Sequence, residues 1–163
     1  MIILFAVISI FLFTRLTLSQ RIRFAGHYSL GPAKQYIAFS ETTLWPGKTP
    51  SPQHDRLALW AGSGTDKGNL IQAIIVSVDK ERVQCRGKPG QWCVFASVLQ
   101  GGRQRMGKQY ALDPGKGVTV KYDYKSSGVT EQTVSVDGQV ISTMNLGRHF
   151  KAVTIEQANG SLY

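Results

Sequence analysis

The stretch TEQTVSVDGQVIST, residues 130–143, constrains the fold more than any other part of the chain. Two β-rich runs of alternating polarity meet at Asp137-Gly138, and a two-residue turn with positive φ at both positions suits that pair. The stretch therefore reads as an antiparallel hairpin. LDPGKG, residues 112–117, is a second turn signal of the same kind.

Further runs have the same character. Candidate strands cover Gln35–Phe39, Arg56–Trp60, Leu70–Val78, Gln91–Gln100, Val118–Tyr124, Thr130–Val136 and Gln139–Met144, each bounded by Gly, Pro, Asn or Asp. Between Arg21 and Gln53 the chain breaks into short extended pieces separated by GPAK and WPGKTPSPQ. No stretch after residue 20 sustains a 3.6-residue apolar period, so no helix is expected. Short strands, turn signals and no helices predict an all-β protein, an antiparallel sandwich or jelly roll. With 163 residues, 42% of them hydrophobic, the chain can enclose one core. A second full domain would need about 100 residues more.

Residues Ile2–Phe13 (IILFAVISIFLF) form an apolar run of twelve, short of the roughly 17 that span a bilayer and matched to the apolar part of a secretory signal. The expectation is a signal peptide over residues 1–20, one sandwich domain over 21–163, and a secreted, extracellular product without a membrane span. Only two cysteines occur, Cys85 and Cys93, in VQCRGKPGQWC. In an exported chain this close pair suggests a local disulfide ahead of reactive or metal-binding thiols. Asn159-Gly-Ser161 is a candidate glycosylation acceptor.

The formal net charge is +9, which favours acidic surfaces such as wall polysaccharide. Arg103, Arg105 and Lys108 cluster in a glycine-flanked segment, but no nucleic-acid-binding module is visible and no nucleic-acid partner is expected. GSGTDKGN, residues 62–69, leads into a strand instead of the helix that a phosphate loop requires. His27, His54 and His149 share no ligand spacing, two thiols alone make a poor zinc site, and no serine sits in a G-x-S-x-G elbow. No metal or cofactor is expected, and a monomer is.

In LIQAIIVSV a two-residue period places Leu70, Gln72, Ile74, Val76 and Val78 on one face, with Ile71, Ala73, Ile75 and Ser77 on the other. Gln72 is a neutral amide among aliphatic side chains. It must satisfy nearby carbonyls or stand at a cavity.

The order Trp60-Ala-Gly, a loop, Leu70-Ile-Gln72-Ala-Ile-Ile-Val, a strand with Trp92, and then DPGKGVTVKYDYKSSGVTEQTVSVDGQVIST resembles the glutamic peptidases, the eqolisins of fungi, and related fungal secreted proteins with a concanavalin A-like sandwich. The likeness spans roughly His27 to Thr143. It implies a glutamate acting as general base on water and a glutamine amide donating to the oxyanion. Gln72 stands where the family's catalytic glutamine stands. Glu156 in AVTIEQ is the match for the glutamate, although another alignment puts Ala152 there. Trp60 and Trp92 become candidate substrate-binding walls, and the partner a polypeptide.

The chain departs from the family at Ser63 and Val76, where acidic residues are usual, and in QWCVFA, which replaces a strand with an internal Glu. The resemblance also implies a final strand or strands beyond those found here. With the acidic positions lost, the alternative is a non-catalytic lectin-like module that holds cell-wall carbohydrate.

Overall fold

The alternation that marks the hairpin also dictates the architecture, since each such strand has one face to hide. The computed structural model describes residues 22–52, 56–78, 85–148 and 150–162, so the predicted signal segment, His54 and His149 lie outside the described residues. Eleven strands occur among them: β1 (Ile22–Leu30), β2 (Phe39–Leu44), β3 (Arg56–Gly64), β4 (Leu70–Ser77), β5 (Trp92–Gln100), β6 (Arg103–Met106), β7 (Tyr110–Leu112), β8 (Val118–Tyr124), β9 (Thr130–Val136), β10 (Gln139–Asn145) and β11 (Ile155–Leu162). No described residue is helical.

The strands form two antiparallel sheets. The larger runs β1-β11-β3-β4-β5-β6, with β7 also paired to β5, and the smaller runs β10-β9-β8-β2. β8, β9 and β10 are a meander built on local turns. Asp137 and Gly138 have φ of 50° and 77°, the positive values that their hairpin requires. Gly101 and Gly102, at 55° and 73°, turn β5 into β6 in the same way. The Arg103–Met106 stretch of the glycine-flanked basic cluster is thus an edge strand of the larger sheet.

Between the sheets lies the main core. It takes Ile71, Ala73 and Ile75 from β4, Trp92, Val94, Ala96 and Val98 from β5, and Val118, Val120, Val134 and Val136 from the facing sheet. Each large aliphatic group removed from water there contributes about 1.5–3 kcal/mol. Tyr122 crosses the core and donates its hydroxyl to the Ala61 carbonyl at 2.8 Å, tying the smaller sheet to β3. Its phenol is pushed far above the ordinary tyrosine value because burial penalises the anion.

A second cluster explains why β4 is apolar on both faces. Val76, Val78, Cys93 and Phe95 pack together on the outer face of the larger sheet with Ala58, Ile74 and Cys85. The predicted disulfide between Cys85 and Cys93 is formed and joins the segment before β5 to that strand. Gly87 belongs to the same cover, where a Cβ would lie 3.0 Å from Val78 and 3.4 Å from the Cys85 sulfur.

The two sheets do not match in width. Beyond β3 the larger sheet continues through β11 and β1, whereas the smaller sheet ends at β2. Tyr28 and Leu30 of β1 are consequently 76% and 70% exposed. A cleft of about 380 Å³ lies along this step, lined by Tyr28, Thr43, Trp45, Leu59, Trp60 and Gln157 among others.

Candidate active site

The site rests on a row of residues that runs across the larger sheet. Antiparallel partners share a face, and Gly62 of β3 is paired with Glu156 of β11 on one side and Gln72 of β4 on the other. The row continues to Ser97 of β5 and Met106 of β6, and reaches Ser29 of β1 at its other end. The face is the outer one, because Gln72 shares it with Ile74 and Val76 while Ile71 and Ala73 point into the main core. Glu156 and Gln72 therefore project from the same face, two strand spacings or about 9.5 Å apart across the sheet from backbone to backbone, with no side chain between them.

That empty position is forced by packing. A Cβ at Gly62 would meet the Ile71 carbonyl oxygen at 2.6 Å and the Gln72 Cβ at 3.3 Å. Gly64, two residues along the same face, is equally constrained: a Cβ there would lie 2.5 Å from Thr154 Oγ1 and 2.9 Å from Glu156 Oε1. The Glu156 side chain thus lies over β3 toward Gly64. The Gly-Ser-Gly of the former phosphate-loop candidate is the floor of this site.

Glu156 is half-buried, and its Oε1 accepts the Thr154 hydroxyl at 2.9 Å. Gln72 is 8% exposed, and no group among the described residues hydrogen-bonds its amide. Ser97 beyond it is committed elsewhere, donating to the Arg105 carbonyl at 3.1 Å and accepting from Gln104 Nε2 at 2.9 Å.

The other residues singled out in the sequence divide. Trp60 pairs with Ile74 and Ala158, so it stands on the outer face next to the row. Trp92 does not line it: it is 1% exposed, points into the main core opposite Ser77, and donates its indole N–H to the Gly47 carbonyl at 2.8 Å. Ser63 is fully buried on the inner face and Val76 belongs to the outer apolar cluster, so neither supplies a polar group to the site. Ala152 lies outside β11, is 4% exposed, and makes isolated bridges to Ile37 and Thr65. Asn159 is within β11, whose backbone pairs with Gly26 on one side and Leu59 on the other. Thr154, which immediately precedes β11, was missed, because nothing in its sequence context distinguishes it from the other threonines.

Among the described residues, no group of three or more His, Cys, Asp or Glu is placed to hold a metal ion, and no helix is long and apolar enough to cross a membrane.

No known family profile matches the sequence, and no curated protein does. Solved structures do. The chain is similar to the crystal structure of Scytalido-glutamic peptidase with a peptide-based transition-state analog, at a TM-score of 0.55 and 11% identity over 86% of this chain and 64% of that one. A weaker likeness reaches the kappa-carrageenase of Pseudoalteromonas carrageenovora in complex with an oligotetrasaccharide of kappa-carrageenan (TM-score 0.43; 14% identity; 78% of this chain and 51% of that one covered). The β-glucanase of Bacillus licheniformis stands beside it (TM-score 0.45; 13% identity; 84% and 65% covered). The chain spans 64% of the peptidase's length. At this identity the likeness shows the fold, an antiparallel two-sheet sandwich of the jelly-roll kind.

Proposed function

We propose that the chain is an exported acid endopeptidase of the glutamic type, with Glu156 as general base, Gln72 as oxyanion donor and Trp60 as a wall of the substrate groove. The observation that carries this reading is the shared partner: Glu156 and Gln72 flank Gly62 on the outer face of the larger sheet. A peptide laid across the strands over Gly62 has the carboxylate on one side of its carbonyl and the amide on the other.

The chemistry follows from those two groups. Glu156 takes a proton from water as the water oxygen bonds to the carbonyl carbon, and the Gln72 Nε2–H donates to the oxygen that becomes negative. The protonated Glu156 then gives its proton to the leaving nitrogen as the C–N bond breaks, which returns the carboxylate. Export agrees with the apolar run at residues 2–13 and with the Cys85–Cys93 disulfide. Hydrolysis of a denatured protein at acid pH, compared with the Gln72→Ala and Glu156→Gln variants, tests the assignment.

A second reading, retention of a wall polysaccharide without cleavage, draws on a different observation. Tyr28 and Trp45 are 76% and 71% exposed at the margin of the cleft beside β2, and flat aromatic faces of this kind stack on sugar rings. With Trp92 in the core, these two rings replace it as the stacking surface. Pull-down on insoluble glucan should retain the parent and release Trp45→Ala, and equal retention of both would remove this reading.

A further inference from the structure

Thr154 and Gly64 form a closed hydrogen-bonded unit around the proposed base. The Gly64 N–H donates to Thr154 Oγ1 at 3.0 Å, and the same hydroxyl donates its single hydrogen to Glu156 Oε1 at 2.9 Å. The Gly64 carbonyl accepts the N–H of Val153 at 2.8 Å and of Thr154 at 3.3 Å. Thr154 is therefore held to Gly64 through both its backbone and its side chain. From the opposite side, a Cβ on Gly31 would lie 2.7 Å from the Val153 carbonyl oxygen and 3.2 Å from Thr154 Cγ2.

This wiring has one direction. A hydroxyl that accepts the Gly64 N–H has only its own hydrogen left to give, and the carboxylate is the acceptor in line with it. Hydrogen bonds to an ionised acceptor are roughly twice as strong as neutral ones. With Oε1 engaged, Oε2 is the oxygen left for a water, and the side chain is kept over the glycine floor between Glu156 and Gln72. Threonine suits the position because its branched Cβ restricts χ1, so the hydroxyl is already aimed.

We infer that Thr154 is a positioning residue for Glu156, with Gly64 as its anchor, and that this pair fixes which carboxylate oxygen meets the substrate water. The inference rests on the glutamic-peptidase reading for its functional consequence, but the positioning itself is measurable without catalysis. Misplacing a reacting group by about 1 Å costs up to about 100-fold in rate.

The test compares the full chain with Thr154→Val, the smaller Thr154→Ala, Thr154→Ser and Gly64→Ala. By NMR, the Gly64 amide should exchange at least about 5-fold faster in Thr154→Val and Thr154→Ala, the equivalent of one lost neutral hydrogen bond. The Glu156 carboxyl carbon resonance should move in both and in Gly64→Ala, whose Cβ intrudes on the hydroxyl and the carboxylate together. Thr154→Ser should match the parent in both signals. In peptide hydrolysis, kcat should fall between about 10- and 100-fold in Thr154→Val with KM unchanged, and Thr154→Ser should restore it. An unmoved Glu156 resonance in Thr154→Val and Thr154→Ala, or parent-like kcat in both, overturns the inference. The expected NMR changes in a parent that cleaves no peptide would uphold the positioning and reject the peptidase reading.

Discussion

Glu156 and Gln72 are the two cross-strand neighbours of Gly62, so a glutamate and a glutamine stand on the same face of the larger sheet on either side of a position that has no side chain. They come from strands that are distant in sequence, and neither β11 nor β4 could set this spacing alone. The placement is a consequence of sheet order: β11 enters between β1 and β3 instead of following β10 into the smaller sheet.

Gly62→Ala tests whether that gap is required. The added Cβ would press on the Ile71 carbonyl oxygen at 2.6 Å, forcing β3 and β4 apart. Crowding of this kind costs about 1–3 kcal/mol. We expect a drop of that size in urea-unfolding stability and at least a 10-fold loss of any hydrolytic rate, since Gln72 moves with β4. Unchanged stability and rate would mean that the strands accommodate a methyl group there.

Tyr122 links alkaline stability to the site. Its hydroxyl is bonded to the carbonyl of Ala61, next to Gly62, and burial holds its proton affinity well above that of an exposed phenol. Because the folded chain keeps this proton and the unfolded chain releases it near pH 10, stability is intact below that pH. Above it, stability falls by about 1.4 kcal/mol per pH unit. Tyr122→Phe should remove this part of the slope and cost about 1 kcal/mol at neutral pH for the lost hydrogen bond. Unfolding midpoints measured across pH 8 to about 11 check both, and an identical slope in the variant would contradict the assignment.

Gln132 is fully buried on the inner face of β9, and neither its amide nitrogen nor its oxygen finds a hydrogen-bond partner among the described residues. A buried amide left unpaired costs about 1–3 kcal/mol, and methionine has nearly the same shape without that cost. Gln132→Met should therefore raise the thermal midpoint. A lower midpoint would show that the amide has a partner, such as an internal water.

Much of the fold was legible in the sequence. Val118–Tyr124 and Thr130–Val136 are strands with the predicted bounds, because their alternation is strict and each connection is a local turn. β1 and β11 were not seen. Their sequences, IRFAGHYSL and IEQANGSL, lack alternation and carry glycine, and they are held by pairing with each other across most of the chain's length. β2 lies at Phe39–Leu44 instead of Gln35–Phe39, since its polar SETT is an edge strand whose pairing with β8 outweighs propensity.

The site divides in the same way. The two-residue period showed which residues share a face with Gln72, but not that the face is the outer one, and the side of the sheet on which Trp92 falls depends on the register between β4 and β5, where it opposes Ser77. Trp92 is consequently a core residue. Gly62 and Gly64 looked like loop glycines, and β3 continues through them because Gly62 lets Gln72 pack close against the strand and Gly64 lets Thr154 and Glu156 do so.

The most direct measurement is cleavage of a denatured protein at acid pH by the refolded chain from residue 21 onward, beside Gln72→Ala and Glu156→Gln. The account predicts that the parent cleaves, that Glu156→Gln abolishes turnover, and that Gln72→Ala loses about 100-fold or more in kcat, the size expected for removal of one oxyanion donor. A parent that does not cleave, or three proteins that cleave equally, would contradict it.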